Sequence, residues 1–146
     1  MAGVARITIG VLIEPDLDYG VGVLEGVREF ARRQPMWNVL PLGQAQEGVL
    51  ARLARAGELQ GLVGPLVSDR WVRSRFAGGL ALVNTSNLSR VTSVCSVVPD
   101  DAAVGRSVAR HFRDLGVARA GVVSERATWA SHLRRQGFEE EMRARG

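Results

Sequence analysis

Five apolar runs in this chain each stop in a cluster of hydroxyl, amide or carboxylate side chains, and that pattern narrows the fold more than any other feature. Ile7–Ile13 runs into Glu14, Pro15, Asp16, Leu17, Asp18 and Tyr19. Gly61–Val67 meets Ser68 and Asp69, and Leu80–Val83 meets Asn84, Thr85, Ser86 and Asn87. Val94–Val98 ends at Pro99, Asp100 and Asp101, and Ala120–Val123 at Ser124, Glu125 and Arg126. Stretches of helical periodicity separate most of these runs. Strands alternating with helices of this length build βαβ units and a parallel sheet. All strand C-termini of such a sheet share one edge, so the polar clusters would gather there, where open α/β sheets bind ligands. The expected class is α/β, a parallel sheet with helices on both faces and a site for a polar ligand.

The element boundaries follow from periodicity and punctuation. Strands are expected near Arg6–Ile13, Trp37–Leu42, Gly61–Leu66, Ala81–Asn84, Ser93–Val98 and Ala120–Val123. A helix over Gly20–Arg33 would turn Val23, Val27, Phe30 and Ala31 inward, and one over Glu47–Ala56 would bury Val49, Leu50, Leu53 and Ala54 before Gly57. A short helix over Asp69–Phe76 has Asp69 as its expected N-cap. The helix Asp101–Leu115 is expected to bury Val104, Val108, Phe112 and Leu115 and to end at Gly116 as C-cap. The last helix spans about Thr128–Arg145, and Trp37 and Trp71 read as packing residues.

A length of 146 residues suits one domain, or one lobe plus a piece of another. No apolar run approaches the roughly 20 residues of a membrane span. Met1–Arg6 has no apolar signal region, so a cytoplasmic location is expected. The single cysteine, Cys95, excludes an internal disulfide and a cysteine-built metal site, and is expected to be a small core residue. The formal charge of +4 comes from arginines alone, since the chain has no lysine. They are interspersed with Asp and Glu and form no long run of one sign, which reads as solvated faces rather than a nucleic-acid surface.

Several constellations can carry chemistry. Glu14, Asp18 and Tyr19, with Asp16 between them, supply carboxylates that accept paired hydrogen bonds from sugar hydroxyls and a flat ring with a polar tip. A solvated loop before a helix fits them equally. Carboxylates strung along one loop, rather than set on separate strands, make a poor Mg²⁺ site. Gly20, Gly22 and Gly26 lack the dinucleotide-binding spacing. Asn84–Asn87 suits self-capping turns better than ligand contact. At Pro99-Asp100-Asp101 one acid can cap the following helix, which leaves a ligand role for Asp100. His111 reads as half-buried, and Ser124 lacks the glycine-flanked elbow of a hydrolase. Trp129 can stack on a pyranose face and Arg134 can donate bidentate bonds, or the pair can be packing and solvated surface.

Taken in order, several segments resemble the sugar-sensing domains of lac-repressor-like bacterial transcription regulators. They are closer still to xylose-operon regulators, which join such a domain to an AraC-type DNA-binding domain. The matching segments are Ile9–Ile13, Tyr19-Gly20 with Gly22–Val27, Pro35-Met36-Trp37, Val83–Ser86, Asp100–Arg106 with Ala109–Phe112 and Leu115-Gly116, and Leu133–Phe138. Asp100–Arg106 is the most specific of these.

The resemblance implies a half domain of the type I periplasmic-binding-protein class. Residues 1–116 would form the N-terminal lobe and 117–146 the first β/α unit of a second lobe, the rest lying outside this chain. It implies no catalysis, no cofactor and no metal. The effector would be a small carbohydrate held between two lobes, contacted by Asp100 from the first and Arg134 from the second, with Trp129 on the approach to that helix. Glu14, Asp18, Tyr19 and Asn84 would line the rim. DNA would be reached only through a domain missing from this chain, in a homodimer without membrane contact. A receiver-like or phosphate-handling Mg²⁺-dependent α/β protein is the alternative.

Overall fold

The computed structural model describes residues 6–14, 18–43, 47–75, 79–124 and 127–144. The expected contributions of Pro15, Asp16, Leu17, Phe76, Glu125, Arg126 and Arg145 lie outside these residues. The chain forms two compact units, Met1–Ser86 with Val91–Val97, and Asn87–Arg90 with Val98–Gly146.

The first unit is a βαβ sheet. Its elements are β1 (Ile7–Ile13), α1 (Asp18–Ala31), β2 (Trp37–Gly43), α2 (Glu47–Arg55), β3 (Gly61–Gly64), α3 (Asp69–Arg75), β4 (Ala81–Asn84) and β5 (Cys95–Ser96). The five strands run in the order β2-β1-β3-β4-β5. Every pairing is parallel, from Ile7 opposite Trp37 at one side to Asn84 opposite Ser96 at the other. The order reverses between β1 and β3. A reversal leaves a crevice beyond the strand C-termini, because the flanking connections leave in opposite directions.

Side-chain alternation divides the core between two faces. Leu12, Leu42 and Leu62 join Leu50 of α2, Leu59, Leu66 and Val72 of α3 in one cluster. Each fully buried side chain of this size contributes about 1.5–3 kcal/mol. On the other face Ile9, Val63 and Val83 line an apolar groove with Gly26, Val27 and Phe30 of α1. Helices therefore cover both faces, and β1 is buried on each, with Val11 at 0% and Leu12 at 4% exposure. In α1 it is Leu24 that is fully buried, while Phe30, expected inward, is 52% exposed and sets its ring edge-on to Trp37.

Two glycines end their helices as expected. Gly57 and Gly116 have φ of 71° and 74°, values only glycine adopts without strain. At each, the glycine N–H bonds back three residues and the next N–H bonds back five, as in Gly116 to Arg113 and Val117 to Phe112. That pairing satisfies carbonyls a helix end leaves open.

The second unit is a helix pair, α4 (Asp101–Asp114) and α5 (Trp129–Arg143). The two cross at glycines. A Cβ on Gly105 would drive into the carbonyl oxygen of Arg134, and one on Gly137 into that of Ala102. This geometry corrects the expected buried face of α4. Asp101, Gly105 and Ala109 are its buried residues, whereas Val104 and Val108 are each 42% exposed and Leu115 is more so. Small residues won because close backbone approach needs the absence of side chains, not their bulk. Helices α4 and α5 both fall within the second unit.

Other expectations also fail. Ala120–Val123 forms no strand; it is exposed and pairs with none of the described strands. Cys95 is exposed rather than buried, β5 shrinks to two residues, and His111 is exposed. Ser68, not Asp69, caps α3, its Oγ accepting the Trp71 N–H at 3.1 Å.

Candidate functional site: a polar sheet edge and a charged helix pair

In the first unit, Glu14, Asp18 and Tyr19 follow the C-terminus of β1, and Asn84 closes β4 on the same edge. Asp18 opens α1, where a carboxylate complements the helix dipole. The Tyr19 hydroxyl donates to the Thr85 carbonyl at 2.7 Å. That bond ties the β1 loop to the β4 loop across the sheet edge. It also leaves the ring 50% exposed, so its face is open to a flat apolar surface.

Asn84 is different. It is 1% exposed. Its Oδ1 accepts the N–H groups of Leu66 and Ser86, and its Nδ2 donates to the Ser86 carbonyl and the Ser96 hydroxyl. An amide has two donor hydrogens and two acceptor lone pairs, so its bonding capacity is spent. Asn84 thus locks β3, β4 and β5 together and has no group left for a ligand.

Asp69 does similar work nearby. Its carboxylate accepts the N–H and hydroxyl of both Thr92 and Ser93, at 2.7–2.9 Å. These bonds, the Ser93 hydroxyl first, hold the carboxyl well below the usual carboxylate range, because they favour the charged form. They fasten the segment that leads into β5.

In the second unit the Asp-Asp pair divides its work. Asp100 is the N-cap of α4, with Oδ1 accepting the Ala103 N–H at 2.9 Å and Oδ2 3.8 Å from Arg106. Its side chain stays largely exposed. Asp101 is buried at 2% exposure, and it accepts from Asn87 Nδ2 and from Arg134 Nε, each at 2.7 Å. Arg134 is therefore not free on the surface. Its Nε–H is anchored by Asp101 while the side chain as a whole is half exposed.

Trp129 starts α5 behind its N-cap Thr128. Its indole is engaged: the His132 ring stacks on it at 5.0 Å between centroids, and the Arg90 guanidinium lies 5.6 Å from its centroid. The backbone N–H groups of Trp129 and Ala130 donate to Leu88 and Asn87, which fixes the 87–90 segment to the start of α5.

Structure thus groups Glu14, Asp18, Tyr19 and Asn84 in the first unit, and Asp100, Trp129 and Arg134 in the second. Sequence reasoning missed Arg90 and His132, and it named Asp101 and Asn87 without their links to Arg134 and to each other. The signal for Asp101 was present: it stands four residues before Gly105 and eight before Ala109, on the small-residue stripe of α4.

No protein-family model and no curated protein sequence matches the chain. Solved structures do. A periplasmic binding protein/LacI transcriptional regulator from Alkaliphilus metalliredigens, complexed with D-xylulofuranose, aligns over 94% of this chain with a TM-score of 0.69 and 15% identity. The transcription regulator CcpA of Lactococcus lactis aligns over 94% with a TM-score of 0.77 and 16% identity. A putative ribose operon repressor from Burkholderia thailandensis aligns over 95% with a TM-score of 0.77 and 20% identity. The chain spans about half the length of each, 53%, 53% and 56%. Its parallel α/β architecture is the one found in LacI-type regulators and type I periplasmic binding proteins.

Proposed function

We propose that the chain is part of the effector-sensing domain of a bacterial transcription regulator and that the effector is a small sugar. The observation that carries this reading is the exposed Tyr19 ring, tethered to Thr85 at the polar edge of a sheet whose strand order reverses beside it. Two sugar complexes among the similar structures support it, one with D-xylulofuranose and one, the regulator CelR, with cellobiose. On this view residues 1–116 form the N-terminal lobe and residues 117–146 open the second. Tyr19 stacks on a sugar face, Glu14, Asp18 and Asp100 accept hydroxyls, and Arg134 donates with the edge that Asp101 leaves open. Trp129 lines the approach.

The parent would work by population shift, in which sugar favours one arrangement of its lobes and so alters how a DNA-binding domain outside this chain is presented. An AraC-type reader, a homodimer and a cytoplasmic location complete the proposal. Among the described residues no helix is long and apolar enough to cross a membrane. The protein acts as a sensor and not as an enzyme. Among the described residues no group of three or more His, Cys, Asp or Glu side chains is placed to hold a metal ion.

Thermal unfolding of the 146-residue chain with D-xylose, D-ribose and cellobiose tests the reading. A binding sugar raises the midpoint with the logarithm of its concentration, adding about 2.7 kcal/mol of stability at a hundredfold excess over Kd. The rise should vanish in Tyr19→Ala and Arg134→Gln. No response to any sugar from a folded chain sinks the proposal.

A further inference from the structure

The second unit holds a pocket of about 710 Å³ lined by the 88–90 segment, by Val122, Ser124, Ala127 and Thr128, and by the start of α5. Its charge is one-sided. Arg90, His132 and Arg135 line it, and no carboxylate does so among the described residues. Arg90 is held over Trp129 and makes no hydrogen bond or ion pair among the described residues. A ring quadrupole orients a guanidinium without neutralising it, and among the described residues none of its five N–H donors is taken. Among the described residues Arg135 has a carboxylate partner only in Glu139, at 3.9 Å with both side chains about half exposed, a separation that leaves it little neutralised by that partner. Helix α5 adds to the positive field, since its first turn carries no acidic residue to offset the dipole. The helix end cannot itself cradle an anion. Its first four N–H groups already donate, to Leu88, Asn87, the Thr128 hydroxyl and the Thr128 carbonyl. Binding would fall to the side chains.

We infer that this pocket takes the anionic group of a small acidic sugar, a sugar phosphate or a sugar acid, through Arg90, Arg135 and His132. The inference builds on the sugar-sensor reading and names the ligand class. Arg90 and Arg135 donate charge-assisted hydrogen bonds to the carboxylate or phosphate oxygens. His132 adds one ring N–H. Trp129 acts as the platform that holds Arg90 and His132 rather than as a free stacking face.

Calorimetric titration of the whole chain with matched ligands tests this: D-gluconate and D-glucose 6-phosphate against D-glucose, with inorganic phosphate as a sugar-free probe. The acids should bind about 10-fold or more tightly than glucose, a gap that charge-assisted bonds supply and added salt shrinks. Arg90→Gln and Arg135→Gln should each close most of that gap while circular dichroism stays unchanged. Glucose binding as well as its acids, or a gap that survives both variants, overturns the anion site and leaves the sensor reading standing. Phosphate binding that needs both arginines, with no sugar of either kind bound more tightly than phosphate, keeps the anion site and removes the sugar reading. Silence from every probe overturns both.

Discussion

The two units reach a packed state by opposite means. The first fills the space between sheet and helices with leucines, and its polar groups sit at the sheet edge. In the second, two helices approach so closely that glycines replace side chains at the crossing, and a buried carboxylate organises the surroundings. Bulk holds one together; absence of bulk, with a few strong polar bonds, holds the other. The first arrangement tolerates trimming of its surface, while the second depends on a handful of positions.

That contrast can be broken at defined places. Leu62→Ala should cost the first unit most, about 4 kcal/mol, because Leu62 is fully buried at the centre of the leucine cluster. Denaturant midpoints measure it, and a loss under about 1 kcal/mol would mean that the cluster is looser than its burial suggests. Gly105→Ala adds a single methyl group yet should cost about 3 kcal/mol, since the new Cβ meets backbone and not a side chain that can turn away. Faster amide exchange along α4 and α5 would report it; unchanged exchange would show that the helices part easily.

Asp101→Asn comes next, at about 2 kcal/mol, from weakening a buried acceptor that serves both Asn87 and Arg134. It should also blunt any sugar response that Arg134 supports. An unchanged response in a folded variant would show that Arg134 does not depend on its anchor.

Asp69→Asn should have the smallest effect, and one that depends on pH. The folded-state pKa of Asp69 lies below its ordinary value of 3.8. Its stabilising contribution is therefore full above that value and is lost as pH falls through the folded one. Wild type should lose more stability than the variant on acidification below about pH 4, with the two curves converging. Parallel curves would remove the Thr92 and Ser93 bonds from the explanation.

Legibility followed the same divide. Strands β1, β3 and β4 could be read because each of their apolar runs ends in residues that cannot continue it. The helix ends at Gly57 and Gly116 were equally open to inspection, since a left-handed φ has one cheap solution. The face of α4 was misread because it carries two stripes, a bulky one through Val104 and Val108 and a small one through Gly105 and Ala109. Periodicity finds both but does not say whether the partner is a sheet or a backbone. Ala120–Val123 has the composition of a strand, yet a strand also needs a neighbour, which composition cannot supply. At the site, the acids and Tyr19 announced themselves by type. Asp101, Arg90 and His132 acquired their roles only through residues 33, 39 and 3 positions away in the chain, in Arg134 and Trp129.

The bonding around Asn84 bears on how the protein ages. Asparagine deamidates when the next residue's amide nitrogen attacks the side-chain carbonyl carbon. Here the Thr85 N–H is already committed to the Gly64 carbonyl at 3.0 Å, and the Asn84 amide is pinned at both ends. The ring-closing geometry is out of reach while the sheet is intact. A residue type often regarded as a chemical weak point is shielded at this position by the contacts that hold the strands in register.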